Sequence, residues 1–200
     1  MIKRATPYIP LLKNIFNKNW ADAPMKYIIA GQISQESGWK ERAEFETSRE
    51  YGFGFSQCTI AFYKNGKVRF NNFLNAKRKY PIQLNGWTWE DRFNATYNLT
   101  YSVLTDHSNF IMVKPLFKND KERWAGTLVS YNAGYGAITT RRSICKLTEG
   151  CDYLLWFGGL DSVRSKTEEN ILYGKPLWLE RNNYPVLVFN KSYKYQKFFQ

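Results

Sequence analysis

Apolar side chains recur at helical intervals through the first forty residues, once over residues 8–19 and again up to Glu36. In the second run Met25, Ile29, Ile33 and Glu36 fall four, four and three residues apart, with Ile28 and Gln32 beside them. Residues so spaced share one helix face, so the pattern predicts a helix whose core-facing stripe ends in a carboxylate. Asp22 offers a cap, Pro24 suits a first turn, and Gly38 marks the stop. Partial desolvation disfavours the charged form of a carboxylate, which makes Glu36 a candidate general acid. A solvated place at the rim, where the helix ends, is the alternative.

Residues 40–57 break the helical period. Glu41, Glu44, Glu46 and Glu50 are followed by Tyr51-Gly52-Phe53-Gly54-Phe55-Ser56-Gln57, where two glycines between aromatics predict a tight backbone path or short hairpin walling a site. Residues 70–80 read as a short basic helix before Pro81. Thr88-Trp89-Glu90-Asp91 has a capping-box form, opening a longer helix with the stripe Phe93, Tyr97, Tyr101 and Leu104. Asn119 with Glu122 caps a helix through Trp124, Leu128 and Tyr131 that closes at Gly134. The last third alternates short apolar runs with Gly158-Gly159, Gly174 and Pro185, and ends in an aromatic, basic tail.

Two hundred residues with 44% hydrophobic content suffice for one substantial core, and no Gly/Ser or Pro-rich linker divides them. The expected class is therefore mainly α, with a small irregular or hairpin segment forming one wall of a cleft. No stretch approaches the roughly 20 apolar residues of a membrane span, and the start lacks a signal-peptide core. Synthesis in a cytoplasm without a signal peptide is the expectation. The net charge of +12 is concentrated in residues 1–20 and in the block Lys64, Lys67, Arg69, Lys77, Arg78 and Lys79. Such a surface favours polyanions, whether nucleic acid or an anionic bacterial envelope. Three cysteines and one histidine leave no plausible zinc set. Cys145 and Cys151 are close enough to bridge after export, with Cys58 remaining free.

Three segments stand out in order: Glu36-Ser37-Gly38-Trp39, Gly54-Phe55-Ser56-Gln57, and Ser130-Tyr131-Asn132-Ala133-Gly134. Together they resemble the lytic transglycosylase and goose-type lysozyme superfamily. In that family a helix-ending Glu-Ser-Gly is followed by Gly-Leu-Met-Gln and later by Ala-Tyr-Asn-Ala-Gly. The resemblance covers about residues 24–137 and implies one lysozyme-like α+β catalytic domain over residues 1–200, with a C-terminal helical extension at 138–200. It implies that Glu36 is the catalytic acid, that Gln57 faces the sugar, and that Tyr131 and Asn132 orient the acid or the acetamido group. Phe-Ser replaces the usual Leu-Met, so Ser56 stands where a methionine often floors a subsite, and Phe55 or Tyr51 is the candidate aromatic surface. Tyr131 as a core aromatic and Asn132 as a helix cap are compatible readings.

The implied activity is cleavage of the β-1,4 bond between N-acetylmuramic acid and N-acetylglucosamine in peptidoglycan. Glycosidases commonly use two carboxylates, whereas here only Glu36 matches a catalytic position. A single acid suffices when the muramic C6 hydroxyl is the nucleophile, giving a 1,6-anhydro sugar with no metal or organic cofactor. Hydrolysis by a muramidase stays open, because Glu46 and Glu50 occupy the interval where goose-type enzymes keep an acid that activates water. A monomeric phage endolysin, released to the wall by a holin-type membrane partner during host lysis, fits the charge and the absence of a signal peptide or anchor. A virion-associated wall-penetrating enzyme, or a basic module binding wall or nucleic acid without catalysis, are the alternatives.

Overall fold

The computed structural model describes residues 2–172 and 174–200. The protein is mainly helical with a small four-stranded antiparallel sheet. Its chain divides into two compact units, residues 1–105 with 191–200, and residues 106–190.

The first unit opens with α1 (Ile2–Ala5), α2 (Ile9–Asn19) and α3 (Tyr27–Glu36), and continues through β1 (Glu44–Glu46), β2 (Glu50–Phe53), β3 (Cys58–Phe62) and β4 (Val68–Asn71). The helices α4 (Asn72–Lys79) and α5 (Pro81–Leu84) follow, then α6 (Ala95–Val113), which runs on into the second unit. Sheet order is β1-β2-β3-β4, and the first pairing sets Glu44 opposite Phe53 and Glu46 opposite Tyr51. Aromatic residues make up 18% of the chain, and many are core: Phe53 lies 6.0 Å from both Phe73 and Trp87, whose own ring centroids are 4.8 Å apart. Such edge-on pairs stabilise beyond their buried area.

Where the helices begin differs from the sequence pattern in two places. Residues 21–22 and 24–26 form turns, and α3 opens three residues after Pro24, because Met25 has a left-handed φ of 51° that no right-handed helix can include. Thr88 caps only a local turn, accepting from the Asp91 backbone N–H at 3.2 Å. The cap of α6 is Asn94, whose side chain accepts from the backbone N–H groups of Thr96 and Tyr97.

In the second unit α7 (Asp120–Ala133) opens as expected, with the Asn119 side chain accepting from Glu122 N–H at 3.1 Å. The Glu122 carboxylate does not return to the cap; it accepts from the backbone N–H groups of Trp156 and Phe157 at 2.8 and 3.0 Å. Next come α8 (Tyr135–Cys145), the paired segments Ile171–Leu172 and Lys175–Pro176, and α9 (Leu177–Ser192), whose last two residues return to the first unit. Pro185 lies inside α9 rather than stopping it. A disulfide joins Cys145 to Cys151, and Cys58 in the first unit is free and buried. Burial pushes the Cys58 thiol far up, so it stays protonated.

Under α8 lies a buried ion-pair network that links residues distant in sequence. Arg141 is fully buried, donates from Nε to Glu168 at 2.9 Å and from a terminal nitrogen to Asn182 at 2.5 Å, and stacks 5.1 Å from the Trp156 ring. Arg181 donates to the same carboxylate at 2.9 Å.

Candidate functional site

Glu36 is the last residue of α3 and is half-buried, so core face and rim meet in one position. The turn after it is tightly determined. Ser37 donates from both its backbone N–H and its hydroxyl to the Ile33 carbonyl, at 3.0 and 3.1 Å. Gly38 and Trp39 are then both left-handed, with φ of 60° and 61°. A tryptophan tolerates that conformation only when its surroundings hold it. Here the buried indole donates to the Ala30 carbonyl at 3.2 Å and packs against Tyr8, Phe55 and Tyr195.

The segment Gly54-Phe55-Ser56-Gln57 connects β2 to β3 and meets this turn, since Phe55 sits 5.8 Å from Trp39 and 4.7 Å from Tyr8. Two motifs separated in sequence are thereby packed together. Their side chains do different work from that expected. Phe55 is fully buried and Ser56 is 1% exposed, so neither side chain is a sugar-contacting surface. Ser56 instead donates to Asn98 Oδ1 at 3.2 Å, and Asn98 Nδ2 donates to the Arg92 carbonyl at 2.6 Å. Gln57 is half-buried, with a left-handed φ of 47°. Its Nε2 donates to the Ala43 and Gly54 carbonyls at 3.3 and 3.0 Å, which commits the amide nitrogen to the turn and leaves Oε1 as the acceptor atom.

Gly54 is required twice, by its φ of 73° and because a Cβ there would lie 1.9 Å from Asn98 Oδ1. Gly54→Ala is expected to destabilise the protein by more than the ~1–2 kcal/mol of a left-handed L-residue. Urea titration would show this as a lowered midpoint, and an unchanged midpoint would contradict the packing of Asn98 beneath the loop.

The two strand acids differ. Glu50 is half-buried and paired with Arg69 at 3.2 Å, which engages its carboxylate. Glu46 is exposed on β1, opposite Tyr51 in register, and has no ion-pair partner among the described residues. Tyr51 is half-buried, its hydroxyl bonding Glu44 and accepting from Arg92 Nε at 3.3 Å. Burial and the Glu44 carboxylate outweigh Arg92 and push the Tyr51 hydroxyl up, so it remains a proton donor at neutral pH. Trp89 lies 5.9 Å from Tyr51, is 40% exposed, and carries the Arg92 guanidinium 4.8 Å from its ring. Glu44 and Trp89 are visible in the sequence only as part of an acidic run and of a capping pattern, and Arg92 carries no motif; the period-two spacing of 44, 46 and 51, 53 across a turn was the available signal for the strand residues.

Tyr131 and Asn132 belong to the second unit, on the last turn of α7, half-buried and exposed respectively. Gly134, with φ of 83°, ends that helix and starts α8. In the first unit, Arg49, Phe62, Tyr63, Lys64, Asn65 and Arg69 line an open groove of about 400 Å³. Arg69 is paired with Glu50, whereas Arg49 and Lys64 have no carboxylate partner among the described residues.

No protein-family model matches the chain, and no curated protein matches it. Among the described residues, no group of His, Cys, Asp and Glu side chains is arranged to hold a metal ion, and no helix is long and apolar enough to cross a membrane.

Proposed function

We propose that this protein is a lysozyme-like, peptidoglycan-degrading enzyme that breaks the β-1,4 bond between N-acetylmuramic acid and N-acetylglucosamine, with Glu36 as general acid and base. The observation that carries this reading is the packing of the Glu36 turn on the Gly54–Gln57 loop through Trp39 and Phe55. It joins the first two motifs of the transglycosylase and goose-type lysozyme pattern in one place and fixes the backbone that bears the acid. Tyr51 and the exposed Trp89 replace Phe55 as the aromatic surface for a sugar. For Tyr131 and Asn132, which belong to the second unit, a substrate-orienting role rests on the resemblance of the third motif alone.

In the favoured route Glu36 gives its proton to the glycosidic oxygen as the bond from the muramic C1 breaks. The 2-acetamido group stabilises the cationic centre, and the ionised Glu36 removes the proton of the muramic C6 hydroxyl as that oxygen bonds C1. The product is a 1,6-anhydro-muramyl end, formed without water or cofactor. A hydrolytic reading is supported by Glu46, an exposed acid without an ion-pair partner among the described residues that could activate water. The cellular setting that fits best is phage-type host lysis, with release to the wall through a membrane lesion made by a holin-type partner.

Purified protein added to purified sacculi should release soluble muropeptides and clear the suspension. Loss of stem peptides with intact glycan strands, or no release, would overturn the proposal. The basic groove should contribute adsorption rather than chemistry. Exchanging Arg49 and Lys64 together for Glu is expected to reduce wall binding several-fold at low salt, with little difference at about 1 M salt, where charges are screened beyond about 3 Å. Equal adsorption of both proteins at low salt would remove the groove from that role.

A further inference from the structure

One side chain on the Glu36 helix is at odds with its surroundings. Gln32 is 2% exposed, and among the described residues neither its Nε2 nor its Oε1 has a hydrogen-bond partner. A buried amide left unsatisfied destabilises a fold, and apolar residues of similar volume would avoid that. Its position gives it a use. Gly31 and Gln35 are taken up by the C-terminal segment, Gly31 abutting Ser192 and Gln35 accepting from Lys191 at 2.7 Å. Gln32 and Glu36 lie on the adjoining side, four residues and one turn apart. Helical side chains lean toward the N-terminus, so the i, i+4 spacing directs the Glu36 side chain toward the turn that bears Gln32.

We propose that Gln32 is a positioning residue for Glu36, its amide held unsatisfied in the resting protein so that Nε2 can donate to the carboxylate once Glu36 has surrendered its proton. The inference rests on the proposed glycan-cleaving role of Glu36. A donor that engages mainly the ionised acid stabilises the state reached during bond cleavage more than the resting one.

The test uses Gln32→Leu and Gln32→Met, which keep the volume and remove the amide, assayed on solubilised glycan strands together with thermal melting. The expected result is a kcat lower by about tenfold or more with KM little changed, in proteins that melt at the wild-type temperature or above it. Wild-type kcat in either variant would overturn the inference, and so would a fall in both kcat and melting temperature in both variants, which would mark Gln32 as packing. An inactive wild-type protein would instead refute the reading on which the inference rests.

Discussion

Glu36→Gln should lower the rate of glycan cleavage by roughly 10²–10⁴-fold, the range typical of a lost general acid–base group. The substitution keeps side-chain shape at a half-buried helix end, where the Trp39 indole and the Ser37 contacts that set the backbone are untouched. Melting temperature and adsorption to walls should therefore change little. That combination separates a catalyst from a basic binding module: a binding module would keep whatever wall effect it has after the carboxyl group of Glu36 is removed. The measurement is release of soluble muropeptides from sacculi, followed for wild type and variant at equal amounts of bound protein.

The largest effect on stability is expected in the second unit. Arg141 and Glu168 are both essentially sealed from solvent, so removing Glu168 leaves Arg141 without its counter-charge, and removing Arg141 leaves the buried carboxylate with Arg181 alone. Arg141→Met or Glu168→Gln should each destabilise by about 3–5 kcal/mol, whereas replacing both with apolar residues should recover much of that loss. Denaturant titration of the three variants gives the comparison. If the double variant is as unstable as the sum of the singles, the two side chains are not acting as a pair. The network also sets an acid limit. Burial would raise the Glu168 carboxyl, but donors from Arg141, the Ser165 backbone N–H and Arg181 outweigh it and hold the group below its ordinary value of 4.5. A depressed folded-state value means the stabilisation is fully present above the unfolded value and is lost as pH falls through the folded one. Wild type should lose stability below about pH 4.5, and Glu168→Gln should show a flatter dependence there.

The helix α2 was legible from its apolar period alone, without a side-chain cap, and α7 because apolar period and cap chemistry agree. The end of α3 was legible for the same reason, through Gly38. Its start was not, because a left-handed conformation at Met25 is one that its residue type does not announce. The sheet was only half visible: the turn-rich Tyr51–Gln57 segment marks a hairpin, but β3 and β4 are short strands with no strict alternation. The residue letters placed Glu36 at a helix end and marked the loop that packs on the following turn, yet were blind to burial. Phe55 and Ser56 therefore read as substrate contacts when they are interior pins. Arg141 and Glu168, 27 residues apart, gave no local signal at all. Gln32 was visible as part of the stripe, and only its unpaired amide marks it as different from its apolar neighbours.

What remains most decisive is the chemical form of the new chain ends. Mass spectrometry of peptidoglycan digested by the purified protein is predicted to show 1,6-anhydro-muramyl termini on the released fragments. Reducing muramic termini carrying oxygen from labelled water would contradict the sugar-hydroxyl route and give the second step to water, and glycan strands recovered uncut would contradict glycosidic cleavage by Glu36 altogether.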